Sequence, residues 1–203
     1  MSLPFQKENI YVNSESRFAR LELNNALLQF ITKYYDSNYS DLVIMCIGTD
    51  RSTGDSLGPL IGHKLFNSLK SYENIHVFGT LNEPVHAKNL NNNIERIKSS
   101  FSNPFIIAID ACLGSKDKIG FINIVNGPLS PGSGVNKTLP AVGDISILGI
   151  VNISGFMEYM VLQSTRLSLV MKIADIIASS FVVSLWKLSK DNLVFKVKDN
   201  KVL

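Results

Sequence analysis

The stretch D-L-V-I-M-C-I-G-T-D-R-S-T-G-D-S-L-G-P, Asp41 to Pro59, decides the fold class. Leu42 to Ile47 is an unbroken apolar run of strand length, the pattern of a strand covered on both faces. The loop Gly48 to Gly54 follows, after which Leu57, Leu60, Ile61, Leu65, Phe66 and Leu69 recur at helical spacing. Pro59 falls in the first turn of that helix, where its missing N–H costs no hydrogen bond. A buried strand running directly into a helix predicts parallel pairing with right-handed crossovers. Asp55 stands between the two, at the carboxyl end of the strand, where open α/β sheets collect ligands.

The same layout recurs along the chain. Phe105 to Ile109 is a second buried-strand run and ends on Asp110. Ile75 to Gly79, Gly120 to Val125 and Ile145 to Ile153 read as further strands. Residues of about 16 to 35, Ala87 to Ser99, and most of Ser154 to Leu188 carry helical periodicity. The expected fold is a three-layer α/β/α sandwich around a mostly parallel, doubly wound sheet, formed by residues 1–203 as a single domain. The Gly120 and Ile145 strands have no helix between them, which leaves room for one antiparallel member. The tail from Ser189 to Leu203 alternates weakly and fits either an added edge strand or disorder.

Composition excludes several classes of function. A formal charge of +3 with scattered Lys and Arg gives no footprint for nucleic acid or an anionic membrane. Two cysteines, Cys46 and Cys112, make neither a disulfide framework nor a C-x-x-C pair, so a reducing cytoplasm is expected. The N-terminal residues hold no apolar core of signal-peptide length. Leu167 to Leu188 is long and apolar, yet it carries Lys172 and Asp175 near its centre, which reads as a buried helix rather than a membrane span. Phe181, Val182, Val183, Leu185 and Trp186 late in that helix fit a homo-oligomer contact and fit a well-packed monomer equally.

The chemistry expected of this pattern rests on two carboxylates. If the strands before Asp55 and Asp110 are neighbours, both acids face one crevice. Two carboxyl groups at close range cannot both ionise easily, so one keeps its proton while the other serves as base toward a water, the demand of aspartic-type peptide hydrolysis. The plainer alternative for Asp55 is a helix N-cap. Asp50 and Arg51 fit an exposed turn pair or a loop held around a substrate. His86, after the Ile75 strand, lies on the same expected edge as the aspartates and suits a proton shuttle or a third metal ligand. His63 and His76 have structural positions. Cys112 has no histidine near it in sequence to activate a thiol. In the loop Pro128 to Thr138, Asn136 precedes Lys137, which breaks the P-loop spacing, and no dinucleotide fingerprint follows a strand. Gly132, Ser133 and Gly134 offer backbone that can approach a peptide or an oxyanion closely, or form a surface turn.

At these residues the sequence resembles a known family. Cys46 to Pro59, Glu83-Pro84-Val85-His86-Ala87 and Pro131-Gly132-Ser133-Gly134-Val135 look like the YyaC family of sporulation proteins. That family is in turn similar to the germination protease and, more distantly, to the hydrogenase maturation endopeptidases. The resemblance implies a phosphorylase/hydrolase-like α/β/α fold. Thr53-Gly54-Asp55-Ser56-Leu57-Gly58-Pro59 and Ile107-Ala108-Ile109-Asp110-Ala111-Cys112 match the segments that carry the germination protease's proposed catalytic aspartates, which assigns that role to Asp55 and Asp110. Asp50, His86, Gly132, Ser133 and Gly134 become candidate substrate contacts. The hydrogenase endopeptidases bind nickel through acidic residues at the same two places and a later histidine. This chain has no histidine beyond His86, so no resident cofactor is expected, and a divalent metal on Asp55, Asp110 and His86 is the alternative. The resemblance thus implies a cytoplasmic peptidase of the sporulating cell or forespore acting on a peptide or protein. The alternatives are a metal-assisted hydrolase and a non-catalytic peptide-binding protein.

Overall fold

The computed structural model describes residues 8–132, 139–190, 195 and 197. Six strands and five α-helices follow in the order β1 (Asn9–Asn13), α1 (Ala19–Tyr34), β2 (Asp41–Cys46), α2 (Leu57–Leu69), β3 (Ile75–Phe78), α3 (Leu90–Ser100), β4 (Pro104–Gly114), β5 (Phe121–Asn126), β6 (Ile145–Ile153), α4 (Glu158–Gln163) and α5 (Leu167–Lys190). The strands form one sheet in the order β1-β5-β6-β4-β2-β3. β3, β2, β4 and β6 pair in parallel, whereas β5 runs antiparallel to both β6 and β1. β5 is therefore the antiparallel member for which the sequence left room.

Side-chain alternation along the strands divides the core into two unequal halves. Leu42, Ile44 and Cys46 of β2 and Phe105, Ile107 and Ile109 of β4 point to one face, where α1, α2 and α5 cover them. Val43, Met45, Ile47 and Ala108 point to the other, covered by Leu90 and Ile97 of α3 and by loop residues such as Leu129 and Val142. That second face is thinly roofed, and Asp110, two residues after Ala108, belongs to it.

By length and composition α5 is long and apolar enough to cross a membrane. Here its apolar stripe, from Val170 through Ile177 and Phe181 to Leu188, is buried against α1 and α2, while Val183 and Trp186 on its outer side are exposed. A polar seam fixes the α1–α5 contact: Asn24 Nδ2 donates to Ser184 Oγ at 2.9 Å, and Ser180 Oγ donates to the Arg20 carbonyl at 3.2 Å. Ser184 is fully buried. Replacing Asn24 with Ala leaves that hydroxyl without its donor, and the expected loss in urea unfolding is about 1–2 kcal/mol.

Three sequence expectations are corrected. Asp110 does not end its strand, because β4 continues to Gly114 along β6. The apolar pattern from Ser154 to Leu188 is two helices, broken around Ser164–Arg166. A strand precedes the first helix, β1, which adds an edge to the sheet beyond β5. Most of the tail lies outside the described residues, although Val197 makes an isolated bridge with Tyr72 and the Phe195 side chain is buried beside Tyr35.

Candidate active site

The site arises where two neighbouring parallel strands have unequal lengths. β2 and β4 keep register from Asp41 opposite Pro104 to Cys46 opposite Ile109, and there β2 stops. Past Ile109, β4 retains β6 on one side and has no strand on the other. The chain leaves β2 for β3 by way of α2 and returns to β4 by way of α3, and these helices lie on opposite faces of the sheet. Such a reversal of winding direction opens a crevice at the carboxyl ends of the strands.

Asp55 is brought to this notch by close backbone packing. Gly48, at φ 146°, has the Asp55 carbonyl oxygen where a side chain would begin, since a Cβ there would stand 2.0 Å from it. The Thr49 N–H donates to that carbonyl at 3.1 Å. A seven-residue excursion thereby folds back on the strand end. The plain N-cap alternative for Asp55 does not apply, because Ser56 is the cap of α2 and no side-chain cap hydrogen bond is made.

Asp55, His86, Asp110 and Gly132 line one cavity of about 340 Å³, together with Thr49, Cys112, Leu139, Glu158, Tyr159 and Leu162 among others. Asp110 is only 8% exposed, and its Oδ1 accepts a hydrogen bond from the Ala111 N–H at 2.8 Å. Burial holds its carboxyl well above the ordinary carboxylate value, the nearby Asp55 charge adds to this, and the Ala111 N–H opposes it. Asp55 is less deeply placed. Burial raises it too, while the Ser52 hydroxyl, near enough to favour the charged form without meeting full hydrogen-bond geometry, works the other way. The two acids line one cavity, and the Asp55 charge acts on Asp110 in the same direction as burial.

The remaining candidates fall into place unevenly. His86 borders the cavity, its Nδ1 buried without a partner and its backbone N–H donating to Asn89 Oδ1 at 2.8 Å. Cys112 is within the cavity, but burial and the Asp110 charge push its thiol up to about 12, which removes it as a nucleophile near neutral pH. Asp50 is exposed on the turn and is not among the cavity residues. Ser133 and Gly134 lie outside the described residues. Among the described residues no three His, Cys, Asp or Glu side chains are placed to hold a metal ion together, so Asp55, Asp110 and His86 do not fit the nickel-type ligand set.

The sequence reading missed Glu158, Tyr159 and Leu162, which wall the cavity from α4. The Gly54 N–H donates to the Leu162 carbonyl at 2.8 Å, which docks this short helix on the Asp55 loop. The signals were Gly155 and the pair Ser164-Thr165, which punctuate the periodicity on either side. With Glu158 the cavity has three carboxylates, and no lysine or arginine, among the described residues that line it.

Strand order and a switch-point cavity define an α/β fold with one six-stranded, mostly parallel sheet flanked by helices. The structure is similar to that of the NiFe hydrogenase maturation protease HycI from Thermococcus kodakarensis, with a TM-score of 0.52 over 79% of this chain and 99% of the other. At 17% identity this is a likeness of fold. The chain belongs to the family described as a protein of unknown function, DUF1256, whose pattern matches residues 11–180. It is 57% identical over 137 residues to the uncharacterized protein YyaC of Bacillus subtilis, a match covering 68% of this chain and 66% of that protein, just under two thirds of its length.

Proposed function

We propose that the chain is a peptidase-like hydrolase of the sporulating cell, cytoplasmic in location, that cleaves a peptide or protein with Asp55 and Asp110 sharing one proton. The observation that carries this reading is the burial of Asp110 in β4 on a cavity it shares with Asp55, whose charge acts on it. Asp110, the more buried acid, keeps the proton, and Asp55, nearer solvent, is the base. Asp55 withdraws a proton from a water, and the oxygen attacks the peptide carbonyl carbon. Asp110 gives its proton to the carbonyl oxygen as the C–O π bond opens. Collapse of the tetrahedral gem-diol then re-forms the C–O π bond and breaks the C–N bond, the proton gained by Asp55 passing to the leaving amine and one gem-diol proton returning to Asp110. Gly132 borders the substrate path, and His86 stands at the cavity wall as an auxiliary.

The residue set favours this reading over a metal-assisted one, since the three-ligand set does not converge. The test is an activity screen against candidate sporulation proteins with the native chain and an Asp55→Asn, Asp110→Asn double variant, each with and without chelator. The expected result is cleavage by the native chain that survives exhaustive chelation and is absent from the variant. Activity abolished by chelator would replace the aspartate reading with a metal one. Specific peptide binding without cleavage by either chain would make the protein a binding module.

A further inference from the structure

His86 also lines a second, larger groove of about 880 Å³, to which neither Asp55 nor Asp110 contributes. Two arginines and two histidines line it from four places in the fold: Arg51 from the β2–α2 loop, His63 from α2, His86 from the β3–α3 loop and Arg96 from α3. Glu83 is the one carboxylate among its lining residues. Among the described residues neither guanidinium makes an ion pair or a hydrogen bond. Arg96 lies 5.3 Å over the Phe78 ring, a contact that steadies the side chain without neutralising it. Two guanidiniums set against the one carboxylate, Glu83, leave the groove with an excess of positive charge, and a concave surface focuses such a field on a ligand of opposite sign. Guanidinium forks match the paired oxygens of carboxylates and phosphates.

We propose that this groove is an anion-binding site, taking a carboxylate or phosphate group on Arg51 and Arg96, with His63 and His86 at its margins. Occupancy does not require that the chain hydrolyse anything, so the proposal stands or falls apart from the aspartate chemistry. His86 lies on both cavities, which places a bound anion next to the candidate active site.

The chain's 3 histidines make a direct readout. His63 and His86 line the groove, whereas His76 is engaged elsewhere, its Nε2 2.7 Å from Asp41 Oδ1 and its ring stacked on Phe101. Titration of the full chain with inorganic phosphate, followed by NMR of the imidazole ring protons, is expected to shift His63 and His86 saturably and leave His76 in place. A parallel arm compares a blocked glutamate peptide with its glutamine counterpart. Saturation by phosphate alone identifies a phosphate site, and saturation by the glutamate peptide but not the glutamine one identifies a carboxylate site; either supports the proposal. Arg51→Gln and Arg96→Gln should each weaken binding about tenfold, the scale of one lost charge-assisted contact. Arg51→Lys, which keeps the charge but not the fork, should recover part of it. The absence of saturable shifts with every probe, or binding unchanged in the doubly substituted chain, would overturn the proposal.

Discussion

Replacing Asp110 with Asn is expected to lower hydrolysis by about a thousandfold, the usual worth of a positioned proton donor, while the fold survives. The amide oxygen still accepts from the Ala111 N–H, and nothing else at the position changes size. The same variant should also change how stability depends on pH. The native carboxyl holds its proton more tightly folded than unfolded, because burial and the Asp55 charge penalise the ionised form. Its contribution to stability is then fully present below the unfolded carboxylate value. It is lost as pH rises through the folded value, since the unfolded chain releases the proton first. Each tenfold difference in proton affinity is worth about 1.4 kcal/mol. Asn has no proton to lose, so the variant should melt higher than the native chain at about pH 8, with the gap closing toward about pH 4. Asp55 and Asp144 are also raised by burial and supply the slope that remains. Parallel melting curves for the two chains across this range would show that Asp110 is ionised in both states, and the proton-sharing mechanism would fail with it.

What could be read from the sequence was what local chemistry specifies. The run Leu42 to Ile47, the glycine that follows it and a proline in the first helical turn act over a few residues, and together they dictated β2, its loop and α2. The pairing of β2 with β4, which the sequence left as a condition, is what puts Asp55 and Asp110 at one notch. β1 escaped because only Val12 of its five residues is buried, as suits an edge strand with polar flanks. The extension of β4 escaped because a carboxylate after an apolar run looks like the exit to solvent. Asp110 is tolerated inside the strand only because β2 has already ended, a fact that lies in the neighbouring strand. Glu158 and Tyr159 enter the cavity through a tertiary contact, Gly54 against Leu162, which no periodicity within α4 announces. Asp50, five residues before Asp55, shows the converse. Nearness in sequence to a site residue did not bring it to the cavity, because the loop's tight return leaves its tip in solvent.

That tight return is also where a small substitution should cost most. Gly58 opens α2, and in an exposed helix an alanine there would be more favourable than glycine by about 1 kcal/mol. Here the added Cβ would lie 2.0 Å from the Ile47 carbonyl oxygen and 2.6 Å from its carbon, both backbone atoms of the strand exit. No rotamer change relieves such a clash, so α2 must move away from the sheet. Its first turn is tied to the Asp55 loop on the other side, where Gly48 admits the Asp55 carbonyl in the same manner. Gly58→Ala is therefore expected to destabilise by about 3 kcal/mol, at the upper end of overpacking costs. For a chain of this size that corresponds to a fall in melting temperature of roughly 6–12 °C. Ser68→Ala, on the exposed side of the same helix, should stay within about 0.5 kcal/mol of native and controls for propensity. Hydrolysis should fall in Gly58→Ala even at temperatures where the variant is fully folded, because the displacement carries Asp55 out of register with Asp110. A Gly58→Ala chain that melts at or above the native temperature would mean that α2 is free to slide. The close seat of helix on strand would then not be what positions the acid.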